Sequence, residues 1–311
     1  MSALPDITIQ EVCPRDGLQI EPTVVPTDLK IALIDRLSAL GFRRIEAGSF
    51  VSPKAVPALA DGNEVFRSIV RREGVIFVAL IPNLRGAERA LEAGADEVNF
   101  VMSASETHNR VNIGMDHQGS LSALAGVTAA IGRRVHLNAT LATAFGCPFE
   151  GEQHEDKVLR LIENYLRLGA QSITLADTTG MANPKLVRQR VKSILGLVPR
   201  DELTLHFHNT RGLGLVNVMA GFDAGAVRFD ASLGGLGGCP FAPGASGNVC
   251  TEDLVNLCRD IGLNTGLDLE GLIALSRELP SMVGHPVPGQ VAKAGRACDL
   301  HPVPLRLTLT D

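Results

Sequence analysis

His206 and His208 stand two residues apart in the run Thr-Leu-His-Phe-His-Asn, residues 204–209. The run ends a short β-branched and apolar segment that reads as a strand. Side chains two apart on a strand share a face, so both imidazoles project together. Two neutral nitrogen donors on one face are half of a divalent-metal site. A His-x-His pair can equally be two strand histidines satisfied by hydrogen bonds, so the surrounding elements must decide.

Eight β-branched runs recur along the chain: 7–12, 44–49, 75–81, 97–102, 134–140, 172–176, 203–207 and 226–231. Between several of them lie amphipathic stretches that stop at a glycine turn, as at Gly41, Gly94, Gly169 and Gly225. Strand–helix alternation implies parallel strands with right-handed crossovers. Eight such units fit a (β/α)8 TIM barrel, an α/β fold, better than a dinucleotide-binding sheet. The latter calls for GxGxxG after an early strand, and the strongest glycine run instead follows the eighth. Barrel chemistry sits where strands end. Those ends carry Arg15-Asp16, Glu46 and Ser49, Asn99 and Ser103, Asn138 and Thr140, Asp177-Thr178-Thr179, and the two histidines. Polar groups are thus expected at one mouth of an apolar framework. Strands one and eight close the barrel beside strand seven, so Asp16 could add a carboxylate oxygen and Asn248 an amide oxygen. A mixed nitrogen and oxygen set with open positions suits Mg²⁺ or Mn²⁺ and is compatible with Zn²⁺, Co²⁺ or Fe²⁺. No thiolate pair accompanies the histidines, which argues against a closed structural zinc site.

Composition excludes several other classes. The net charge is −5, with no tryptophan and one tyrosine, so the basic surface and stacking aromatics of a nucleic-acid binder are missing. No apolar run approaches the roughly 18–20 residues of a membrane helix, and the first residues lack the pattern of a secretory signal. Six cysteines without paired spacing read as free thiols, and the cytoplasm is the expected compartment. A 311-residue chain accommodates the catalytic barrel over 1–276, with 277–311 as a short C-terminal extension packing on it.

Five ordered motifs make the pattern specific: EVCPRDGLQ (11–19), IEAGSFVSPKAVPALAD (45–61), FGCPFEG (145–151), HFHN (206–209) and GGLGGCPFAPGASGNVCTEDLV (234–255). Together they resemble the 3-hydroxy-3-methylglutaryl-CoA lyase family, a metal-dependent branch of barrel enzymes, over nearly the whole chain. The resemblance implies Asp16, His206, His208 and Asn248 as metal ligands. It implies a catalytic set of Arg15, over the oxygen that becomes an enolate, Glu46, orienting Arg15 or the metal shell, His206, and Cys239, a thiol on a glycine-rich lid. Gln19, Ser49, Arg15 and Arg211 are expected at the substrate. Family members cleave a 3-hydroxyacyl-CoA to acetyl-CoA and a keto acid, a step of leucine degradation. The expected partners are an acyl-CoA and a second copy of the chain. His206, Asp16 or a metal-bound water could each serve as base.

Two departures stand out. The family's Asp-Thr-Tyr-Gly-Gln after the second histidine is here Asn209-Thr210-Arg211-Gly212-Leu213, and its Gln-Asn-Glu-Lys is here Gln19-Ile20-Glu21-Pro22. Arg211 is therefore expected to pair with a substrate carboxylate, of the methylglutaryl compound or of a related thioester such as citramalyl-CoA. A condensing enzyme of the isopropylmalate synthase type shares the barrel, the Arg-Asp start and the His-x-His-Asn motif. The cysteine-bearing GCPFAPGASGN loop and the short segment after the barrel favour the lyase. An aldolase acting without CoA uses the same metal logic, whereas a catalytically dead scaffold has no need to retain every ligand, Arg15 and Cys239.

Overall fold

A computed structural model describes residues 5–238, 247–300 and 302–303. Eight parallel strands close into one barrel in chain order. They are β1 (Thr8–Glu11), β2 (Arg44–Ser49), β3 (Ile76–Ile81), β4 (Glu97–Ser103), β5 (His136–Ala142), β6 (Ser172–Asp177), β7 (Leu203–Phe207) and β8 (Arg228–Ala231). The outer helices are α1 (Thr27–Ala39), α2 (Gly62–Ser68), α3 (Leu84–Ala93), α4 (Glu106–Ile113), α5 (His117–Ile131), α6 (Glu155–Arg167), α7 (Pro184–Ile194), α8 (Gly214–Asp223), α9 (Thr251–Asp260), α10 (Leu269–Val283) and α11 (Val291–Ala294).

Local sequence accounts for these helices. α6 buries Val158, Leu161, Ile162 and Tyr165, the i, i+3, i+4, i+7 stripe of a helix lying on a sheet. Glu155 and Asp156 occupy its first turn and Arg167 its last, each opposite the helix-end charge it complements. α3 starts where Asn83 Oδ1 accepts the Gly86 N–H at 3.1 Å. It stops at Gly94, whose φ of 85° places it in the left-handed region that glycine enters without a steric penalty.

The strands alternate more strictly than a parallel sheet buried on both faces normally does. One set of alternate residues packs outward into the layer beneath the helices: Ile9, Ile45, Phe77, Val98, Leu137 and Ile173, continued by Leu205 and Phe229. The other set points into the barrel and, apart from Val78 and Leu80 on β3, is largely polar far below the mouth. Arg44 donates to Glu97 and, at 3.0 Å, to Gln10. Asn138 donates to Thr174 at 3.0 Å, and His136 meets Ser172 at 2.8 Å. The expectation of polar groups gathered at one mouth of an apolar framework is therefore too narrow: hydrogen-bonded polar side chains also fill the interior toward the N-terminal ends of the strands.

The expected division at 276/277 falls inside α10, which runs unbroken from Leu269 to Val283. Beyond it, the Asp253 carboxylate on α9 accepts the N–H groups of Gln290 (2.9 Å) and Val291 (2.7 Å). Gly289 N–H also bonds to the Gly234 carbonyl at 2.9 Å, which ties the C-terminal segment to the chain leaving β8. Among the described residues no helix is long and apolar enough to cross a membrane.

Candidate active site

At the end of β1 the backbone widens into a single π-turn, Cys13–Gly17, in which Gly17 N–H and Leu18 N–H reach back five residues to the Val12 and Cys13 carbonyls (3.2 and 3.0 Å). This turn carries Arg15 and Asp16 over the barrel mouth. His206 lies within β7 and His208 one residue past its end. The carboxylate of Asp16 and one nitrogen of each imidazole all lie within 4.8 Å of one another.

Asn248 joins them through backbone stitching. Asn209 N–H bonds to Gly247 O (2.9 Å), Val249 N–H to Phe207 O (3.1 Å) and Ser232 N–H to Val249 O (2.9 Å). The segment leaving the glycine-rich loop is thereby laid between the ends of β7 and β8. Asn248 Nδ2 then donates to Asp16 Oδ2 at 2.7 Å and to Leu236 O at 2.9 Å. Opposite, Gly237 passes so close that a Cβ would stand 2.5 Å from Asp16 O and 2.8 Å from Asn248 Nδ2. Its φ of 91° is also in the left-handed region, so only glycine fits there.

The charges are mutually arranged. Arg15 Nε donates to Glu46 Oε2 at 2.6 Å, Nη2 lies 2.5 Å from the same oxygen, and Nη1 bonds to Asp16. Burial pushes the Asp16 carboxyl up, but Arg15, the two histidines and the Asn248 bond outweigh it and hold its pKa at about 2. Burial raises the Glu46 pKa despite Arg15 and Asn99. The histidines diverge. Burial lowers both, but His206 Nδ1 pairs with Asp230 Oδ2 at 3.1 Å, and that bond and charge carry its pKa above the ordinary value. Among the described residues His208 has no such carboxylate partner, and burial beside His206 drives it down to about 3.

The donor set fits a divalent cation. Asp16 is held ionised and His208 neutral, the states that ligation requires. Among the described residues, buried His208 Nδ1 and Asn248 Oδ1 have no hydrogen-bond partner, an expensive arrangement unless another group uses their lone pairs. Asp230 fixes His206 in the manner of a carboxylate behind a metal-binding imidazole.

Arg15, Asp16, His206 and His208 border a cavity of about 880 Å³ at the mouth, which Gln19, Asn99, Thr140 and Asp230 also line; Asn248 and Glu46 stand behind that lining. Ser49 is buried and its Oγ accepts Val51 N–H at 3.3 Å; it does not line the cavity. Arg211 is likewise outside the lining, its Nη1 donating to the carbonyls of Thr179 (2.9 Å) and Gly180 (2.8 Å). Cys239 lies outside the described residues. Cys13, Cys147, Cys250, Cys258 and Cys298 are free thiols. Sequence reasoning passed over Asp230; its position two residues after Arg228 on the inward face of β8 was the available signal.

The family model described as HMGL-like matches residues 6–279. The hydroxymethylglutaryl-CoA lyase YngG of Bacillus subtilis is 43% identical over 285 residues, spanning 91% of this chain and 95% of that protein. The (R)-citramalyl-CoA lyase of Chloroflexus aurantiacus is 42% identical over 300 residues, 93% of this chain and 95% of that one. Among solved structures, an HMG-CoA lyase from Acenitobacter baumannii in complex with coenzyme A and 3-methylmalate superposes with a TM-score of 0.95 at 60% identity, covering 98% of this chain and 100% of that one.

Proposed function

The chain belongs to the HMGL-like family, and from that premise we propose that it is a divalent-metal-dependent carbon–carbon lyase cleaving a 3-hydroxyacyl-CoA. The substrate we favour is 3-hydroxy-3-methylglutaryl-CoA, split to acetyl-CoA and acetoacetate. The observation that carries this reading is the Asp16–His206–His208 cluster beside the Arg15–Glu46 pair at one cavity. Asp16, His206, His208 and Asn248 would hold the cation, Mg²⁺ or Mn²⁺ by the mixed nitrogen and oxygen donor set with open positions. Bound there, it would acidify the substrate hydroxyl and polarise its neighbouring oxygens.

The chain's own groups supply the rest. Transfer of the 3-hydroxyl proton to a base at the mouth, for which His206 and Asp16 are the candidates among the chain's own groups, lets the C2–C3 bond break, leaving a ketone on one fragment and a thioester enolate on the other. Arg15 places a permanent charge and forked donors where the enolate oxygen develops. Asp230, bonded to His206 Nδ1, leaves Nε2 as the ring nitrogen that faces chemistry. Cys239, on the glycine-rich loop, is our candidate for protonating the enolate carbon. The cavity volume falls within the range of small-molecule sites.

A second reading, cleavage of a shorter diacid thioester such as citramalyl-CoA, is favoured by the near-equal identity to the lyase of that name and by the 3-methylmalate in the 60% identical structure. One experiment tests both. The metal-loaded protein is incubated with 3-hydroxy-3-methylglutaryl-CoA, citramalyl-CoA and longer 3-hydroxyacyl-CoA thioesters, and acetyl-CoA release is measured. Release from the first supports the favoured reading, and preferential release from citramalyl-CoA supports the second. No release from any thioester, with Mg²⁺ or Mn²⁺ present, refutes both.

A further inference from the structure

Glu46 is gripped from two sides, and the motifs account for one of them. Its Oε2 takes both Arg15 contacts, whereas its Oε1 accepts Asn99 Nδ2 at 3.0 Å. Asn99, on β4, is buried and is itself fixed. Its Oδ1 accepts Asn138 Nδ2 at 2.9 Å and Thr140 Oγ1 at 2.8 Å. Asn138 is fixed in turn, its other amide hydrogen going to Thr174 Oγ1 (3.0 Å) and its Oδ1 accepting Ser172 Oγ (2.9 Å). A carboxamide can present oxygen or nitrogen to a neighbour. Turned over, Asn99 would face the Glu46 carboxylate with an acceptor and the Asn138 amide with a donor. The network therefore permits one orientation.

We propose that Asn99, locked by Asn138 and Thr140, is a positioning residue that sets the plane of the Glu46 carboxylate and through it the aim of the Arg15 guanidinium. The proposal rests on the lyase reading above. Arg15 is a long side chain with many rotamers, and Glu46 is what holds its Nε and Nη2. With Oε1 released, the carboxylate can rotate about its terminal bond and carry the guanidinium with it. A misplacement of about 1 Å in a charge-stabilising group costs on the order of 100-fold in rate. The hydrogen bond from Asn99 also favours the ionised form of Glu46, the form that pairs with Arg15.

Asn99 borders the cavity and Asn138 does not, so the two separate positioning from direct substrate contact. Steady-state kinetics of the metal-loaded protein are compared for Asn99→Leu, Asn138→Leu, Glu46→Gln and the double variant Asn99→Leu/Glu46→Gln. Asn99→Leu should lower kcat by about 10- to 100-fold at nearly constant KM, the span of a hydrogen bond to a charged group. Asn138→Leu should lower kcat less, again without moving KM, and it carries the test should Asn99→Leu fail to fold. In the Glu46→Gln background the Asn99 substitution should add little, the non-additivity of residues acting through one another. Full additivity, a raised KM or a changed order of preferred thioesters would overturn the proposal, the last two by making Asn99 a substrate contact. A crystal structure of either leucine variant is the second readout: an Arg15–Glu46 pair as ordered and as close as in the parent refutes the positioning role. That readout needs no turnover, so a parent protein that cleaves no thioester would sink the lyase reading while this measurement still decides the role of Asn99.

Discussion

Asp16, His206 and His208 were legible because their types and spacing carry meaning: two imidazoles two apart on a strand, and a carboxylate before a glycine at a strand end. Asp230 and the role of Asn99 were not, because a polar residue inside a strand has no spacing signature until its partner is known. Arg211 shows the same limit from the other side. A charge on a loop after a strand can face the cavity or cap neighbouring carbonyls, and here it caps Thr179 and Gly180. The arrangement around His206 makes a graded expectation. Losing an outer partner of a metal ligand costs about 10–100-fold in affinity, so Asp230→Asn should weaken Mn²⁺ binding by about that range. Asp16→Ala, His206→Ala and His208→Ala should each weaken it at least as much. Titration calorimetry of the parent and the four variants checks the ordering; an affinity unchanged from the parent in all four would refute the site.

At the scale of elements, strand positions were recovered almost to the residue because apolar alternation between glycine stops is a strong local pattern. β5 lies two residues later than expected at both ends and β8 starts two residues later, at Arg228: Arg134 belongs to the turn, its N–H bonding to Ile131 O at 3.1 Å. The π-turn at Cys13–Gly17 left no readable mark, since whether a chain closes four or five residues back depends on what packs beneath it. The polar filling of the barrel has an energetic consequence. Arg44 and Glu97 are paired inside it, and Arg44 is also held by Gln10. Breaking a buried pair by removing one partner leaves an uncompensated charge and costs about 3–5 kcal/mol, whereas replacing both can be close to neutral. Glu97→Leu should therefore lower unfolding stability by about that amount in urea denaturation, and Arg44→Met/Glu97→Leu should recover most of it. A double variant as unstable as the single one would show that the pair itself stabilises the barrel.

For the whole molecule, titration links the barrel to the chain that follows it. Glu11, at the end of β1, is buried and accepts Cys13 N–H (2.8 Å), Leu233 N–H (2.9 Å) and Thr251 Oγ1 (2.8 Å). Burial outweighs those bonds and raises its pKa from 4.5 to about 8. A carboxyl raised on folding binds its proton more tightly in the native state, so its contribution is complete below about pH 4.5 and is lost as pH rises through about 8. Asp177, raised by burial to about 7, acts in the same direction. The melting temperature should fall across that window, and Glu11→Gln should flatten the fall; an equally steep profile in the variant would remove Glu11 as its source. The bonds that Glu11 and Asn248 make also join the first strand of the barrel to the chain leaving the last. Asp16 and Asn248 meet across 232 positions of sequence. A ribosome must therefore release the chain past residue 248 before the first and last of the proposed ligands can meet, and no fragment lacking either residue can assemble the proposed set. Cation affinity thus becomes a gauge of ring closure: a stalled or truncated chain can fold helices and pair neighbouring strands, yet it will be blind to the metal.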